Sequence, residues 1–328
     1  MLRNPALLFV PLLIVAFAMP ALAAPGEAIT DPAKAGPDFA VQGEYVGDAA
    51  YRGTNKYGAQ VIALGEGKFK CVGFKGGLPG DGWDGGKKEE VEGEMVDGVA
   101  TFSIKDDHVV LKIKDGVLTA TLKDGKNVGT LKKVERKSPT LGAKPPTGAV
   151  ILFDGTSPEE FKGGRMTEDG LLMEGATSKK TFQSCTVHLE FRTPFKPASR
   201  GQGRGNSGFY VQGRYEVQIL DSMGLEGKMN ECGGIYSVGP PKVNMCFPPL
   251  SWQTYDVDFT AAEYEDGKKV KDAKMTVRHN GVVVHEDQIC DHRTTASPLP
   301  EGPEPGPVFL QNHGNPVRFR NIWVVPKQ

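Results

Sequence analysis

Glu216 and Gln218 alternate with Tyr215, Val217 and Ile219 in one short run of the chain. Successive side chains of a β-strand point to opposite faces, so the apolar three belong to a core and the acid and amide share the other face. The run before it divides in the same way, with Phe209 and Val211 on one side and Tyr210 and Gln212 on the other. Gly213-Arg214 between the runs has the form of a two-residue hairpin turn. One sheet face then presents a carboxylate, amides and a phenol, the groups that bind a polar ligand and move a proton. Asp221 lies five residues after Glu216, an odd offset that puts it on the opposite face of a regular strand. It ranks below Glu216 and reaches the site only through a bulge.

Other segments repeat the pattern. In 186–192, Val187, Leu189 and Phe191 separate from His188, Glu190 and Arg192; in 252–260, Tyr255, Val257 and Phe259 separate from Thr254, Asp256 and Asp258. Gln311 and His313 fall on one side of the run 309–314. The plain explanation of such faces is a solvated sheet surface. That explanation is weaker for Glu216-x-Gln218 with Tyr210 and for Gln311-x-His313, which are hydrogen-bonding and ring-bearing rather than a Lys/Glu mixture. Glu216, His313 and Glu190 are therefore the candidate catalytic groups. Asn206, Tyr210, Gln218, Asp221, Tyr236, Trp252 and Gln311 are the candidate substrate binders. Glu190, Glu216 and His313 also form a carboxylate/imidazole set of the kind that holds a divalent ion, but no ligand spacing supports it. No cofactor is called for, and a divalent metal is left as an alternative. Nucleophile-elbow, zinc-protease, P-loop and dinucleotide-binding motifs are all missing.

These residues need strands to hold them, and the chain supplies short strands throughout. It has 328 residues, 42 of them glycine, with 39% hydrophobic and 24% charged content. A net charge of −1 argues against nucleic acid or an anionic membrane as the main partner. Residues 1–23 read as a secretory signal: Arg3, an apolar stretch over 6–18, then Ala21-Leu22-Ala23. A secreted or periplasmic protein without stable membrane insertion is expected. Residues 24–42 read as a flexible segment, 43–136 as a small β-meander or barrel of unknown role, 137–148 as a Pro-rich linker, and 149–328 as a jelly-roll domain. Trp83, in the Gly-rich loop 76–86, is read as a loop anchor packed on its own sheet. Asn280-Gly281 marks a hairpin. The cysteine count, 5, is odd. Cys232 and Cys246 are the expected pair if a disulfide forms, the alternative being buried thiols.

Across about 150–327 the chain resembles the 3-keto-disaccharide hydrolase family. The matching pieces are Leu152-Phe153-Asp154-Gly155, Glu190-Phe191-Arg192, Asn206-Ser207-Gly208, Tyr215 to Asp221, Gly234-Ile235-Tyr236, Trp252, Leu310-Gln311-x-His313-Gly314 and Phe319-Arg320-Asn321-Ile322. One departure is Phe161-Lys162-Gly163, where the family has a Gly-Trp pair. The resemblance implies a concanavalin-like jelly roll and action on sugars oxidised to a ketone at C3. It leaves the catalytic residues to be argued from position. The expectation is a 3-keto-glycoside hydrolase or lyase; the alternative is a non-catalytic carbohydrate-binding module using Tyr210, Tyr236 and Trp252.

Overall fold

The computed structural model describes residues 26–50, 53, 55–104 and 108–327. The expected signal segment 1–23 lies outside the described residues. Eight strands, β1 (Gly43–Ala49), β2 (Asn55–Gly65), β3 (Lys68–Lys75), β4 (Glu89–Val96), β5 (Val99–Ile104), β6 (Val109–Lys114), β7 (Val117–Leu122) and β8 (Asn127–Val134), pair in sequence order, and β8 closes on β1. Closure leaves no open sheet edge. Tyr45, Val61, Phe69, Phe102, Ile113 and Leu118 fill the lower interior. The charged strand β4 fits because Val91 and Met95 pack against this interior, while Glu90, Glu92 and Glu94 alternate outward as exposed residues.

The second unit runs through β9 (Val150–Phe153), β10 (Phe161–Lys162), β11 (Leu172–Met173), β12 (Ala176–Phe182), β13 (Cys185–Arg192), β14 (Ser207–Val211), β15 (Tyr215–Ile219), β16 (Gln253–Thr260), β17 (Glu263–Glu265), β18 (Lys268–Lys271), β19 (Ala273–His279), β20 (Val282–Cys290), β21 (Gly306–Leu310) and β22 (Arg318–Pro326). One sheet has the order β10-β12-β21-β14-β15. The facing sheet runs β11-β22-β13-β16-β19-β20, with β9 beside β22. Val187, Leu189 and Phe191 of the second sheet meet Phe209, Val217 and Ile219 of the first in one core. Apolar faces therefore turn inward as the alternation predicts, and polar faces turn out on both sides. Asn280 and Gly281 have φ of 51° and 81°, as the β19–β20 hairpin requires. The β14–β15 connection differs from expectation. Val211 pairs with Tyr215, so the turn has three residues, 212–214, with positive φ at Gln212 and Gly213. Arg214 then folds inward and donates to the carbonyls of Pro300 and Glu304.

Two segments expected to be loose are packed. Residues 26–42 include the short helix α1 (Gly36–Val41), and Ile29 pairs with Phe195 of the sandwich. Ile29, Phe39 and Phe195 close the lower end of the barrel, with Phe39 edge-on to Phe195 at 5.3 Å. Burial of these few apolar side chains outweighs the turn-forming composition around them. The Pro-rich connection is a strap on the outer face of the β13 sheet. Ser138 meets Thr254 at 2.6 Å, Thr140 donates to Asp256 at 2.7 Å, and Asn321 donates to the Ala143 carbonyl at 3.0 Å. Trp83 packs edge-on to Phe74 at 5.3 Å, as a loop anchor should. All five cysteines are buried free thiols, so the Cys232–Cys246 bridge is absent. Cys232 instead meets the Tyr255 hydroxyl at 3.3 Å, and Cys246 donates to the Leu220 carbonyl at 3.4 Å.

Phe195 belongs to the sandwich yet fills the barrel end, so Phe195→Ala should leave a cavity there. The expected loss is about 3–5 kcal/mol, measured as a lower urea midpoint for the barrel. An unchanged midpoint would show that this contact does not support it.

Candidate active site

The outer face of the β14–β15 sheet is built from two cross-strand rows. Tyr210 lies opposite Glu216, and Gly208 opposite Gln218. Residues 234–236 extend the sheet past β15. Gln218 N–H donates to Gly234 at 2.8 Å and Tyr236 N–H donates to Glu216 at 3.2 Å. Val217 bridges Ile235, whose side chain is in the core, so Tyr236 shares the Glu216 face. On the other side, Gln311 N–H donates to the Gly208 carbonyl at 2.8 Å, and Phe309 pairs with Tyr210. Phe309 and Tyr210 rings lie 5.3 Å apart.

Glu216 is only 3% exposed. Its carboxylate rests over Gly208, where an added Cβ would come within 2.1 Å of Oε1. Burial raises its pKa to about 7, although a hydrogen bond from Tyr210 opposes the rise. The Tyr210 hydroxyl also accepts from Gln311 Nε2 at 3.1 Å, forming an amide–phenol–carboxyl relay. Burial and the adjoining Glu216 charge push the Tyr210 pKa up, so it stays a neutral donor. Gln218 Nε2 donates to Gln202 Oε1 at 3.2 Å, and Asn206 Nδ2 donates to the same oxygen at 3.0 Å. Asn206 Oδ1 is buried with no hydrogen-bond partner among the described residues.

Tyr210, Glu216, Gln218, Tyr236 and Gln311 therefore come together, with Asn206 joined through Gln202. Gln202 was not anticipated, since Gly-Gln-Gly carries no periodic signal. Thr294 was also missed; its hydroxyl accepts from the Glu216 N–H at 3.0 Å. His313 is exposed in the loop after β21, two positions beyond Gln311.

Three candidates lie elsewhere. Glu190 projects from the outer face of the opposite sheet. It accepts from Arg320 at 2.6 Å and Asn321 at 2.9 Å, and also from the Gly142 N–H of the strap. Burial would raise its pKa, but hydrogen bonds from His188, Asn321, Gly142 and Arg320 outweigh this and hold it at about 2. Glu190 and Glu216 are on outward faces of sheets packed about 10 Å apart, well beyond the roughly 5–5.5 Å of a retaining carboxylate pair. The same separation dismantles the Glu190/Glu216/His313 metal set, and no group of three metal-ligating side chains occurs among the described residues. Asp221 is buried and ion-paired with Arg204 at 2.6 Å. Arg204 also donates to Ala63 of the barrel at 3.0 Å, so this pair joins the two units. Trp252 lies against Arg320 and Arg192, at 4.0 and 5.1 Å from its ring centroid, in a cleft of about 750 Å³ between barrel and sandwich.

Residues 148–325 match the 3-keto-alpha-glucoside-1,2-lyase-like domain, that is, the 3-keto-disaccharide hydrolase family. The chain belongs to this family. It is similar to a "putative glycosyl hydrolase" from Parabacteroides distasonis, at 30% identity over 56% of this chain and 85% of that one, with a TM-score of 0.51. Two further structures with that description from the same organism are 20% identical, cover 55% of this chain and 94% and 99% of theirs, and give TM-scores of 0.39 and 0.38. No curated protein matches. A glycoside-acting domain with a sugar substrate follows from the family.

The raised pKa of Glu216 makes a stability prediction. A carboxyl whose folded pKa lies above its ordinary 4.5 favours the fold while protonated and opposes it once ionised. Its cost should grow as pH rises from about 4.5 through about 7. Glu216→Gln should therefore raise Tm at pH 8 and change it little at pH 4. Equal shifts at both pH values would contradict the buried, near-neutral carboxyl.

Proposed function

We propose that this chain cleaves glycosides whose C3 hydroxyl has been oxidised to a ketone, with Glu216 as the general base. The observation that carries the reading is the Glu216 carboxyl buried over Gly208 and hydrogen-bonded to Tyr210 on the polar sheet face, a burial that pushes its pKa up to about 7. A base with a pKa near the working pH is well matched to proton abstraction. The family description names a 3-keto-alpha-glucoside, and that substrate suits such a base. The ketone acidifies the neighbouring C2–H. Glu216 takes this proton, and the C–H electron pair forms the C2–C3 enolate. The enolate re-forms the ketone as the C1–O bond breaks, leaving a C1–C2 double bond conjugated to it. The departing oxygen takes the proton from Glu216. Addition of water across C1–C2 completes hydrolysis; release before that step gives a lyase product.

Within this scheme Tyr210, held by Gln311, orients the carboxylate. The amides of Gln218 and Gln311 and the Tyr236 hydroxyl are hydrogen-bonding groups for ring hydroxyls and the developing enolate oxygen. A binding module would need an open aromatic platform. Of the three rings such a module would use, Tyr210 is fully buried and Trp252 lies against two arginines, which leaves the half-buried Tyr236 alone. The leading segment adds the proposal that this chemistry takes place outside the cytoplasm.

The direct test is aglycone release from a 3-keto glucoside beside its unoxidised parent. The keto form alone should be cleaved, and in D₂O recovered keto substrate should gain deuterium at C2 faster than in enzyme-free controls. Cleavage of both forms, with C2–H retained, would replace this mechanism by direct hydrolysis at C1. kcat/KM should rise with pH through about 7 and then level off, because only ionised Glu216 accepts the proton. Glu216→Gln should lower kcat by roughly 10²–10⁴-fold and remove that limb. Tyr210→Phe deletes the bond that lowers the Glu216 pKa, so the limb should move to higher pH. Wild-type kcat in a folded Glu216→Gln variant on a confirmed keto substrate would move the base to His313.

A further inference from the structure

Among the described residues, the barrel has one filled end and one open end. Its lower interior carries Tyr45, Phe69 and Phe102, and the end below them is closed by Phe39 and Phe195. At the opposite end most interior positions become small, Tyr57 excepted. Ala49, Ala59, Cys71, Gly73 and Ala120 line a cavity of about 610 Å³ that opens at the mouth. Eight strands enclose a space that large side chains can fill or that can hold one small molecule. The change from mostly rings to mostly methyl groups along this barrel does both in turn. The volume falls within the roughly 300–1,000 Å³ of ligand sites, and barrel mouths are a recurrent position for them.

The lining sets the chemistry of an occupant. Tyr57, Val91, Val109, Leu111, Leu118 and Leu131 are among the other wall and floor residues. The strand N–H and C=O groups are engaged in the closed ladder, leaving few for a polar guest. Cys71 is kept neutral, burial pushing its thiol up to about 12. Charged side chains, Lys87, Glu89 and Glu90, stand at the rim and are exposed. A blind apolar shaft with a charged rim accepts a molecule that is apolar at one end and polar at the other.

We propose that the barrel is a binding site for the alkyl chain of a single-chain amphiphile, with the tail in the shaft and the polar group at the Lys87 rim. This function is separate from the Glu216 face, and nothing in the sugar chemistry requires it. Burial of each methylene contributes about 0.8 kcal/mol, so affinity should grow with chain length until the shaft is full.

The test uses the full-length protein and the fluorophore N-phenyl-1-naphthylamine. Saturable binding of one probe per chain, with a blue-shifted emission, is expected. Dodecanoate and dodecyl maltoside, both below their micellar concentrations, should displace it, and octyl homologues should need at least tenfold more. Ala120→Phe should weaken probe binding at least tenfold by filling the shaft. Ala120→Val, a milder change, should weaken it severalfold and serves if the larger side chain prevents folding. Lys87→Glu should weaken dodecanoate severalfold and leave dodecyl maltoside unchanged; unchanged binding of dodecanoate would overturn the placement of the polar group at the Lys87 rim. Folded Ala120 variants that bind the probe like wild type would overturn the proposal. So would non-saturable binding, or displacement independent of chain length.

Discussion

The missing side chain at Gly208 is the constraint on which the polar face depends. β14 and β15 are hydrogen-bonded neighbours, and Tyr210 and Glu216 both lean over the space above Gly208. A methyl group there would lie 2.1 Å from the Glu216 carboxylate and 2.8 Å from the Tyr210 ring. Glycine thus lets an acid and a phenol fold onto the sheet instead of standing off it. That posture brings desolvation, desolvation raises the carboxyl pKa, and the raised pKa gives the acid its value as a base.

The sandwich places carboxylates on its two outward faces and treats them in opposite ways. Glu216 has one phenolic donor and a pKa of about 7, whereas Glu190 collects Arg320, Asn321, Gly142 and the His188 edge and is held at about 2. His188 shows the same competition. Burial would depress its pKa, but bonds to Asp256 and Glu190 prevail and raise it. Burial alone therefore does not mark a reactive acid; the number of donors around it separates a structural anion from a proton acceptor.

Face assignments were legible because alternation is local: Tyr215, Val217 and Ile219 could not share a core without turning Glu216 and Gln218 outward. Which outward faces adjoin one another was not legible. Glu190 and Glu216 look equivalent along the chain, and only the pairing of β13 with β22 and β16 assigns them to opposing sheets. Trp252 misled for the same reason, and the odd offset that set Asp221 apart from Glu216 held; each belongs to a junction with the barrel that no periodicity announces. The strap and α1 were obscured by composition. Pro and Gly mark where a chain turns, but they do not say whether the turned segment lies against something. Strand β12 carries no alternation signal, because Ala176–Phe182 contains polar residues at consecutive positions; its place between β10 and β21 is settled by pairing.

The docked strap changes what the connection between barrel and sandwich is. A free tether of this length would give its ends an effective concentration in the millimolar range, with the joined bodies still sampling many orientations. Here Ser138, Thr140, Gly142 and Ala143 are each bonded to the sandwich, so almost no slack is left. The orientational entropy of the two bodies is lost once, at folding, and is not lost again each time their surfaces meet. A change at one body is thereby delivered to the other as a displacement of a rigid joint, not averaged away in a coil.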